Sequence, residues 1–380
     1  MTKLRDICRF QSGGTPSRGT PAYFNGNVPW ITTVALNGDV IDGNQAIEWI
    51  TDEAIAKSAA KIVPPHSVMV GTRVGIGKVA INSVPMSTSQ DIISLIGIDE
   101  NKWDKKFICH LITANKEHLT SQARGATIKG IKIEAIADLV LPEISLTEQA
   151  RISEVVGKVD ALMHMHQQMA MNLEQLIKSR FIELFGDCDL THPQESWVTI
   201  KEIGSVVGGA TPKTDHDEYW GGSYRWITPA ELDADSGYIY DSVRKLTKAG
   251  VESCSLQEMP VGTVILSSRA PIGKVAIAGN TFYCNQGFKN IICKEGITPR
   301  YLYTVLLLNV EYLNSLGRGA TFKEISKGIV ESIRIPVPSM ELQEQFAAFV
   351  EQTDKSKLAV QKGLQELEIL KKSLMQQYFG

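Results

Sequence analysis

The chain has 380 residues, of which 43% are apolar and 21% charged, and its formal net charge at pH 7 is −3. This length exceeds one ordinary core and predicts two to three structural units, while the apolar content argues against wholesale disorder. The slightly acidic balance excludes a polycation that binds nucleic acid with its whole surface. Any contact with DNA must come from local patches.

The cysteines and the N-terminal segment do not indicate a secreted or membrane-bound protein. Six cysteines are scattered without a Cys-x-x-Cys pair, which predicts reduced, buried thiols rather than a disulfide framework or a zinc site. The first residues lack the apolar region of a signal peptide. The longest apolar stretch, 301–310, is too short for a membrane span of ~20 residues. The sequence therefore predicts a cytoplasmic protein without membrane contact.

An internal repeat dominates the chain. A shift of 196 positions superposes several segments in order: Thr15-Pro16 on Thr211-Pro212, Trp30-Ile31-Thr32 on Trp226-Ile227-Thr228, Arg73 on Arg269, Ile76-Gly77-Lys78 on Ile272-Gly273-Lys274, and Gln90 on Gln286. The offset becomes 194 where Arg124-Gly125-Ala126-Thr127 meets Arg318-Gly319-Ala320-Thr321. Alignment of Glu148-Gln149 with Glu344-Gln345 predicts a return to 196. Two copies at so long a period indicate a two-domain duplication, not a solenoid.

The first part of each copy is predicted to be a mixed α+β globule. Short apolar stretches are separated by turns rich in Gly and Pro, and a helix-compatible segment follows at 105–120 and at 299–316. Trp30 and Trp226 are expected in the cores. Gly77 and Gly273 are expected to satisfy a backbone requirement of their turns.

The second part of each copy predicts a long helix that carries a coiled-coil seam. Apolar positions recur in steps of three and four, and neither stretch contains Pro. The predicted seam of the first helix is Ile152, Val155, Val159, Leu162, His166, Met169, Leu173, Leu176, Arg180 and Leu184. That of the second is Leu342, Phe346, Phe349, Thr353, Val360, Leu364, Leu367, Leu370, Leu374 and Tyr378. Thr147, with Gln149 close behind, is the expected start of the first helix.

These segments predict four parts: a globule at 1–145, a helix at 146–187, a globule at 190–341 and a helix at 342–380. Each helix could pack on its own globule, but their length favours antiparallel packing on each other. That packing would place the two similar globules at opposite ends of a helical spacer. The resulting internal pseudo-two-fold symmetry would match the dyad of duplex DNA.

The repeated motifs resemble the specificity subunit of type I restriction-modification enzymes. They comprise Gly-Gly-Thr-Pro at 13–16, the Tyr-x-x-Gly to Trp-Ile-Thr block, Arg-x-x-Ile-Gly-Lys-Val-Ala, Arg-Gly-Ala-Thr, the Pro to Glu-Gln start of each helix and the Phe-Gly end of each helix. The resemblance covers essentially the whole chain and appears twice. One departure is that Thr33-Val34 follows the first Trp-Ile-Thr, whereas Pro229 follows the second.

The resemblance implies two target recognition domains, each of which reads half of a bipartite site in double-stranded DNA. It implies that the helices separate these domains and dock two methyltransferase subunits, which methylate adenine at N6. Translocating restriction subunits can join such a complex. The chain itself is expected to be non-catalytic and to hold no cofactor, since S-adenosylmethionine, ATP and magnesium would belong to partner subunits.

The residues themselves give little support for chemistry in this chain. The segment 71–79 resembles a phosphate loop, but Val79 and Val275 follow the two lysines where a magnesium-binding Ser or Thr would stand. His164 and His166 point to different sides of a helix, so an exposed and a seam histidine are expected instead of a metal pair. Scattered Asp and Glu offer no paired catalytic site.

Charge counts predict that the chain alone binds DNA weakly. Residues 1–145 carry 15 Lys and Arg against 14 Asp and Glu, and residues 191–341 carry 15 against 16. Phosphate contacts dominate affinity for DNA, so partner subunits are expected to supply the missing positive surface. This balance fits a specificity adaptor better than a stand-alone repressor.

Polar loop residues are the candidates for DNA contact, because base edges are read by such groups on a rigid frame. In the first copy they are Thr15, Ser17, Arg18, Thr32, Thr33, Asn37, Arg73, Ser87, Thr88 and Gln90. In the second copy they are Thr211, Lys213, Thr228, Glu231, Ser268, Arg269, Asn285, Gln286 and Lys289. Turn capping competes with DNA contact for Thr15 and Thr211. The arginines and glutamines shared by both copies are expected to position phosphate or the frame.

Four cations just before the helices are candidates for phosphate or partner contact, with domain packing as the alternative: Arg124, Lys129, Arg318 and Lys323. Because the other loop residues differ between the copies, the two half-sites are predicted to differ and the target to be asymmetric. Two other classes stay open at this point. One is a structural or carbohydrate-binding adaptor unrelated to DNA, and the other is a solitary metal-dependent nuclease.

Overall fold

The computed structural model describes residues 1–38, 40–125, 129–232, 237–254, 256–319 and 323–380. They form two compact units, one of Met1–Met169 with Val360–Gly380 and the other of Ala170–Ala359. Each unit holds one α+β domain, domain 1 (residues 1–145) or domain 2 (residues 190–339), together with parts of two long helices. The predicted α+β class is confirmed. Ala126, Thr127, Ala320 and Thr321 of the repeated box lie outside the described residues.

Domain 1 contains two small sheets. Its strands are β1 (Arg9–Ser12), β2 (Val28–Ile31), β3 (Val40–Ile41), β4 (Glu48–Ile50), β5 (Ile62–Val63), β6 (Val68–Gly71), β7 (Val79–Asn82), β8 (Met86–Thr88) and β9 (Ile92–Ile96). The strand orders are β1-β9-β6-β7-β3 and β4-β2-β8-β5. Strands β6 and β7 are buried along their whole length, as their uncharged, largely apolar sequences require.

Domain 2 repeats the topology of the larger sheet of domain 1. Its strands, with two more near its ends, are β10 (Val198–Thr199), β11 (Gly204–Val207), β12 (Trp220–Ile227), β13 (Tyr238–Ile239), β14 (Arg244–Leu246), β15 (Val264–Leu266), β16 (Val275–Ala278), β17 (Tyr283–Cys284), β18 (Asn290–Cys293) and β19 (Arg334–Ile335). The larger sheet has the order β11-β18-β15-β16-β13, which matches domain 1 strand for strand. The smaller sheet has, within the described residues, three strands in the order β14-β12-β17. The duplication seen in the sequence is therefore a duplication of the fold.

Short helices cover these sheets. They are α1 (Leu4–Ile7), α2 (Asp52–Lys57), α3 (Lys105–Ala114), α4 (Lys116–Ser121) and α5 (Ile133–Ala137) in domain 1, and α7 (Ile200–Ile203), α8 (Lys248–Glu252), α9 (Pro299–Leu308), α10 (Val310–Ser315) and α11 (Lys327–Ser332) in domain 2. Helix α3 buries Ile108 and Leu111 against Val68 of β6. Helix α9 does the same with Leu302 and Val305 in domain 2. The helical segments predicted at 105–120 and 299–316 are confirmed.

The long helices are α6 (Leu146–Phe185) and α12 (Met340–Phe379), each of 40 residues, or about 60 Å at the usual rise per residue. The predicted start of α6 at Thr147 is wrong, because the Ser145 hydroxyl accepts a hydrogen bond from the Glu148 amide at 3.2 Å and caps the helix one residue before Leu146. Helix α12 begins two residues earlier than predicted.

The helices pack antiparallel within each unit. In the first unit Ile152 and Val156, near the start of α6, lie against Met375 and Phe379, at the end of α12. In the second unit Phe181, near the end of α6, contacts Phe346, near the start of α12, with ring centroids 5.3 Å apart. The predicted antiparallel packing is confirmed in both units. The placement of the globules at opposite ends of a spacer stays a prediction.

The predicted seam of α6 is wrong at three of its ten positions. Ile152, Val159, His166 and Leu173 do lie on the packed face, but Leu162, Met169 and Leu176 are exposed. The packed face also includes the residues that directly follow five predicted seam positions. These residues are Val156, Met163, Ala170, Ile177 and Phe181. Except for Arg180 and Phe181, an apolar residue stands at both positions of each such pair, so hydrophobic spacing alone does not distinguish them. On α12, Leu370 is likewise exposed, and Lys371 takes its place.

Buried glutamines show that the two copies keep an offset of 194 into the helices. The Gln149 side chain accepts from the Asp104 amide at 3.0 Å and donates to the carbonyls of Lys102 and Ile144. Gln343 makes the equivalent three bonds, to the Thr298 amide and to the Gly296 and Pro338 carbonyls. The return to 196 predicted from the Glu-Gln pairs is therefore wrong, since Gln149 corresponds to Gln343.

Candidate nucleic-acid interface

A shared frame carries the first candidate loop in each domain. The Trp30 indole donates to the Gly14 carbonyl at 3.0 Å, and the Trp226 indole donates to the Ala210 carbonyl at the same distance. The loop glycine that precedes each acceptor lies so close to the neighbouring strand that a Cβ would approach a carbonyl oxygen to 2.1 Å at Gly13 and 2.0 Å at Gly209. Both tryptophans are core residues, as predicted.

The loop between β6 and β7 and its counterpart between β15 and β16 share a glycine and its backbone hydrogen bond. Gly77 has a φ of +76° and Gly273 a φ of +92°, in the left-handed region that glycine adopts without strain. The Gly77 amide donates to the Gly71 carbonyl and the Gly273 amide to the Ser267 carbonyl, each at 3.0 Å. These glycines meet the backbone requirement expected of them, and they hold Arg73 and Arg269 at equivalent positions.

In domain 2 four loops converge around Gly287. A Cβ on Gly287 would lie 3.0 Å from Asn285 Oδ1, 3.2 Å from Pro229 Cγ and 3.5 Å from Arg269 Nε. The Thr211 hydroxyl donates to Gln286 Oε1 at 2.6 Å. The loops that carry Thr211, Arg269, Asn285 and Gln286 therefore meet at one surface.

The cations of this domain 2 surface are held by an acidic residue. Lys289 Nζ lies 3.0 Å from Glu324 Oε1 and also donates to the Ser268 hydroxyl at 3.3 Å. Arg269 Nη1 lies 3.9 Å from the other carboxylate oxygen of Glu324. One carboxylate thus partly neutralises two candidate DNA contacts. The spacing of motifs in the sequence did not indicate a role for Glu324.

In domain 1 the equivalent surface carries different groups. Arg73 Nη1 lies 3.4 Å from Asp91 Oδ1. Arg18 is bound to the Glu48 carboxylate, with one bond of 2.8 Å, and its guanidinium lies 4.6 Å from the centroid of the Phe24 ring. The hydrogen bond to Glu48, ahead of the charge of that group, raises the pKa of Arg18 above its usual value. This arginine is fully charged and held in place, with its side chain exposed.

An open cavity adjoins Arg73. It has a volume of about 720 Å³, and its lining includes Arg73, Gln122, Arg124, Lys132 and Glu134. The hairpin that carries Arg124 is closed by a backbone bond from the Arg124 amide to the Gly130 carbonyl at 2.9 Å and its reciprocal at 3.0 Å. It is joined to the Arg73 loop by the bond from the Ile131 amide to the Thr72 carbonyl at 2.8 Å.

Five candidates do not present a free side chain at the surface. Ser87, Thr88 and Ser268 are 0% exposed and Thr33 is 5% exposed. Ser87 and Thr88 belong to β8, which is buried throughout. Glu231 caps a turn instead: its carboxylate accepts from the Thr228 amide at 2.9 Å and the Val243 amide at 2.7 Å. Polar composition misplaced these residues because short hydroxyl side chains are accommodated in the interior and a capping carboxylate is already bonded.

The other candidates have accessible side chains. Exposed or half-exposed are Thr15, Ser17, Arg18, Thr32, Asn37, Arg73, Gln90, Thr211, Lys213, Thr228, Arg269, Asn285, Gln286 and Lys289, and also Arg124, Lys129, Arg318 and Lys323. Of these, Asn285 accepts a hydrogen bond from the Gly287 amide at 2.9 Å, which orients its side chain. Which of them contact DNA stays a prediction.

Aromatic groups on domain 2 were missed. The Arg244 guanidinium lies 3.5 Å from the centroid of the Trp220 ring, and the exposed rings of Tyr238 and Tyr240 are stacked with centroids 6.0 Å apart. Tyrosines two residues apart on a strand point to the same side, which is a signal that the sequence contained. Flat exposed rings can stack on bases or sugars.

Neither a cluster of metal ligands nor a disulfide occurs among the described residues. No group of three or more His, Cys, Asp or Glu side chains there could hold a metal ion. His164 is exposed, and His166 lies on the seam beside Gly363, as predicted. All six cysteines are free, and burial raises the pKa of Cys109 and of Cys284 to about 12. None of the described helices is long and apolar enough to span a membrane.

A duplicated α+β domain with polar loops on a fixed frame, followed each time by a long helix, defines a two-domain recognition protein. The family model for the type I restriction modification DNA specificity domain matches residues 1–175 and 195–369. The chain belongs to this family and contains its domain twice. This finding contradicts the alternative of a structural or carbohydrate-binding adaptor unrelated to DNA.

Three proteins that are similar to this chain also carry the name of type I specificity subunits. The chain is 42% identical over 185 residues to the type I restriction enzyme MjaIX specificity subunit of Methanocaldococcus jannaschii, covering 47% of this chain and 43% of that one. It is 30% identical over 166 residues to the EcoR124I/EcoR124II specificity subunit of Escherichia coli, covering 42% of this chain and 40% of that one. These matches span less than half the length of either relative. A putative MjaX specificity subunit of M. jannaschii matches at 23% identity across 99% of this chain and 91% of its own length.

A solved structure shows the same fold. The crystal structure of the type I restriction-modification S subunit from M. genitalium matches with a TM-score of 0.57 and 16% identity, covering 100% of this chain and 95% of that one. A second structure, reported for the complex assembly and conformational transition of the type I R-M system, matches with the same TM-score at 17% identity, covering 100% of this chain and 96% of that chain. The fold predicted from the sequence is confirmed.

Proposed function

We propose that this chain is the DNA specificity subunit of a type I restriction-modification enzyme and that each domain reads one half of a bipartite, asymmetric site. The observation that carries this proposal is that one frame holds different groups in its two copies. Asn285 stands where domain 1 has the buried Ser89, and Lys213 stands where it has Ser17. Equivalent backbones with unlike polar groups are what two different half-sites require.

The chemistry of the loops fits base recognition. Amide side chains pair with adenine, arginine and lysine with guanine, and hydroxyl groups with several base edges in the major groove. Asn285 and Lys213 offer such groups in domain 2, and Asn37 and Arg18 offer them in domain 1. Strands and backbone hydrogen bonds fix the loops, so little ordering entropy would be lost when they bind DNA.

The outer face of α6 supports docking of methyltransferase subunits. Leu162, Met169 and Leu176 are 41%, 50% and 48% exposed and recur every seven residues, on a side of the helix that the seam leaves free. Met165 adds a further exposed apolar side chain. Exposed apolar rows of this kind mark protein interaction surfaces. We infer that two methyltransferase subunits bind the long helices and that the helices set the unread gap between half-sites.

In this proposal the chain recognises DNA and the partners carry out the reactions in the cytoplasm. S-adenosylmethionine would be bound by the methyltransferase subunits. ATP and magnesium would be bound by restriction subunits when those join the complex. The chain has a net charge of −3, so DNA affinity would depend on the positive surface of its partners.

Sequencing of methylated bases in the host, with and without this gene, tests the proposal. We expect one bipartite motif of two unlike half-sites separated by a fixed gap, with N6-methyladenine in both halves, which disappears when the gene is deleted. A palindromic motif would contradict the asymmetry. An unchanged set of methylated sites in the deletion strain would contradict the function itself.

A double change on α6 tests the docking face. Leu162→Ser with Met169→Ser is expected to leave the unfolding free energy within about 0.5 kcal/mol, because both side chains are exposed. It is also expected to reduce copurification of the methyltransferase subunit strongly. Lys158→Ala, an exposed change on the same helix, is the control. Undiminished copurification of the double variant would place the docking surface elsewhere.

A further inference from the structure

The position at the edge of the cavity beside Arg73 has a counterpart in domain 2 that carries an acidic side chain. In domain 2 the Arg318 hairpin has the same backbone bonds, between Arg318 and Glu324 at 3.1 and 3.0 Å, and the same link to the preceding loop, from the Ile325 amide to the Ser268 carbonyl at 3.0 Å. Glu324 occupies the position of Gly130. Its carboxylate lies 3.0 Å from Lys289 and 3.9 Å from Arg269. The two equivalent positions therefore differ in charge, since domain 2 has the carboxylate of Glu324 where domain 1 has Gly130.

The charge of the domain 1 cavity is predominantly positive. Arg73, Arg124 and Lys132 line it together with a single carboxylate, that of Glu134. Arg73 has Asp91 as a partner at 3.4 Å, whereas Arg124 and Lys132 form no ion pair within the described part of the chain. Several cations around one concave surface attract an anion. A Cβ at position 130 would lie 2.7 Å from Arg73 Cγ, so Gly130 allows the Arg73 side chain to pack closely against this edge of the cavity.

We propose that this cavity binds one backbone phosphate of the DNA at the first half-site, and that Glu324 blocks the same contact at the second half-site. The inference rests on the proposed function. A phosphate is favoured over an acidic segment of a partner protein because Arg73 belongs to the loop that adjoins the candidate base-reading surface. Thr72, its neighbour, donates its hydroxyl to the Asp91 carbonyl at 3.0 Å, just beyond Gln90.

Phosphate contact and base contact have different consequences. A phosphate contact carries no base information, and its loss lowers affinity for all sequences and reduces the salt dependence of binding by about one unit of slope. Domain 1 would therefore be anchored by a contact that domain 2 lacks. The glycine at one position and the glutamate at its counterpart would determine which half-site is anchored.

The test uses the full chain assembled with its methyltransferase subunit and a duplex that contains the methylated motif. Gly130→Glu introduces the carboxylate of domain 2 into domain 1, and Arg124→Ala removes an exposed cation whose side chain has no ion pair in the described structure. Each is expected to weaken binding about tenfold and to flatten the log–log salt slope by about one. Glu324→Gly makes the opposite change and is expected to strengthen binding and steepen the slope. Lys102→Ala, beyond the other end of β9, is the charge-matched control.

An uncharged analogue of the backbone phosphate can locate the proposed phosphate contact. A single methylphosphonate is moved along the backbone of each half-site, and one position in the first half-site is expected to lower wild-type affinity about tenfold but to have no effect on Arg124→Ala. No equivalent position is expected in the second half-site unless Glu324 is replaced by Gly.

The outcomes separate the two proposals. Wild-type affinity and slope in both Gly130→Glu and Arg124→Ala would overturn the phosphate site while leaving the proposed function intact. Loss of the methyltransferase subunit from these variants, with unchanged affinity per assembled complex, would assign the cavity to a partner protein and overturn it as well. A wild-type complex that does not prefer its motif would contradict the proposed function and the phosphate site together.

Discussion

Domains 1 and 2 hold the same tryptophan in the same way, with Trp30 and Trp226 each donating to a loop carbonyl at 3.0 Å, yet their polar surfaces are unlike. In domain 1 the loop arginines face Glu48 and Asp91, beside an open cavity. In domain 2 Lys289 and Arg269 face Glu324, which stands at the position of Gly130 in domain 1. The comparison separates residues that maintain the fold, which recur, from the differing polar groups that we propose read the target.

The largest effect is expected in the aromatic cluster that joins α6 to α12 within the second unit. Phe181 is fully buried against Phe346, with the ring of Tyr301 5.6 Å away. Phe181→Ala should lower the unfolding free energy by about 3–5 kcal/mol because it leaves a cavity. In the first unit Phe107 packs against Phe379, so Phe107→Ala should lower the unfolding free energy by a similar amount. Urea unfolding measures both.

Met171→Ala is the matched control for that change, since this side chain on the same helix is exposed and should have little effect. A small loss for Phe181→Ala, comparable to that of the control, would contradict the helix pairing described for the second unit.

The next largest loss of stability is expected at the buried glutamines. Gln149 and Gln343 should contribute equally to the unfolding free energy. Gln149→Ala and Gln343→Ala each leave one amide and two carbonyl groups without their partner. We expect a loss of about 2–3 kcal/mol for each, since buried unpaired polar groups are costly. Unfolding of the two variants gives the comparison, with the exposed Gln345→Ala as the control. A large loss for only one of them would mean that the copies do not share this frame.

The smallest effect tests the groups that differ. Asn285→Ala should relax recognition at one base pair of the second half-site, with discrimination falling by about 1 kcal/mol or more, because an amide that pairs with a base edge is lost. The equivalent change in domain 1, Ser89→Ala, should leave both half-sites unchanged, since Ser89 is buried. Methylation rates on duplexes with single base changes measure this. Relaxation at the first half-site by Asn285→Ala would contradict the assignment of domains to half-sites.

The sequence was sufficient for the fold because its signals were repeated. Two copies of each motif indicated the duplication, the periodicity of the helices indicated their number, and the helix length favoured antiparallel packing. It failed where two neighbours were equally apolar, as at Leu162 and Met163, because only the packing partner decides which one is buried. The predicted alignment of the helix starts was wrong because it matched the Glu-Gln pairs at 148–149 and 344–345. The residue that makes the same contacts as Gln149 is Gln343.

The candidate surface was predicted less well than the fold. Loops rich in Gly and polar residues were correctly located, and Arg73, Asn285 and Gln286 are accessible. Burial of Ser87 and Thr88 and the capping role of Glu231 depend on strand neighbours far along the chain, which composition does not show. Glu324 was missed for the same reason, since its partners Lys289 and Arg269 are 35 and more residues away.

The most direct measurement replaces domain 1 by a second copy of domain 2, with residues 199–339 in place of residues 3–145, and reads the methylated motif in the host. If each domain reads one half-site on an equivalent frame, the new motif consists of the second half-site twice in opposite orientation, and is a palindrome with a gap. Retention of the original first half-site in a chain that folds and assembles would show that residues outside domain 1 read it, contrary to the account given above.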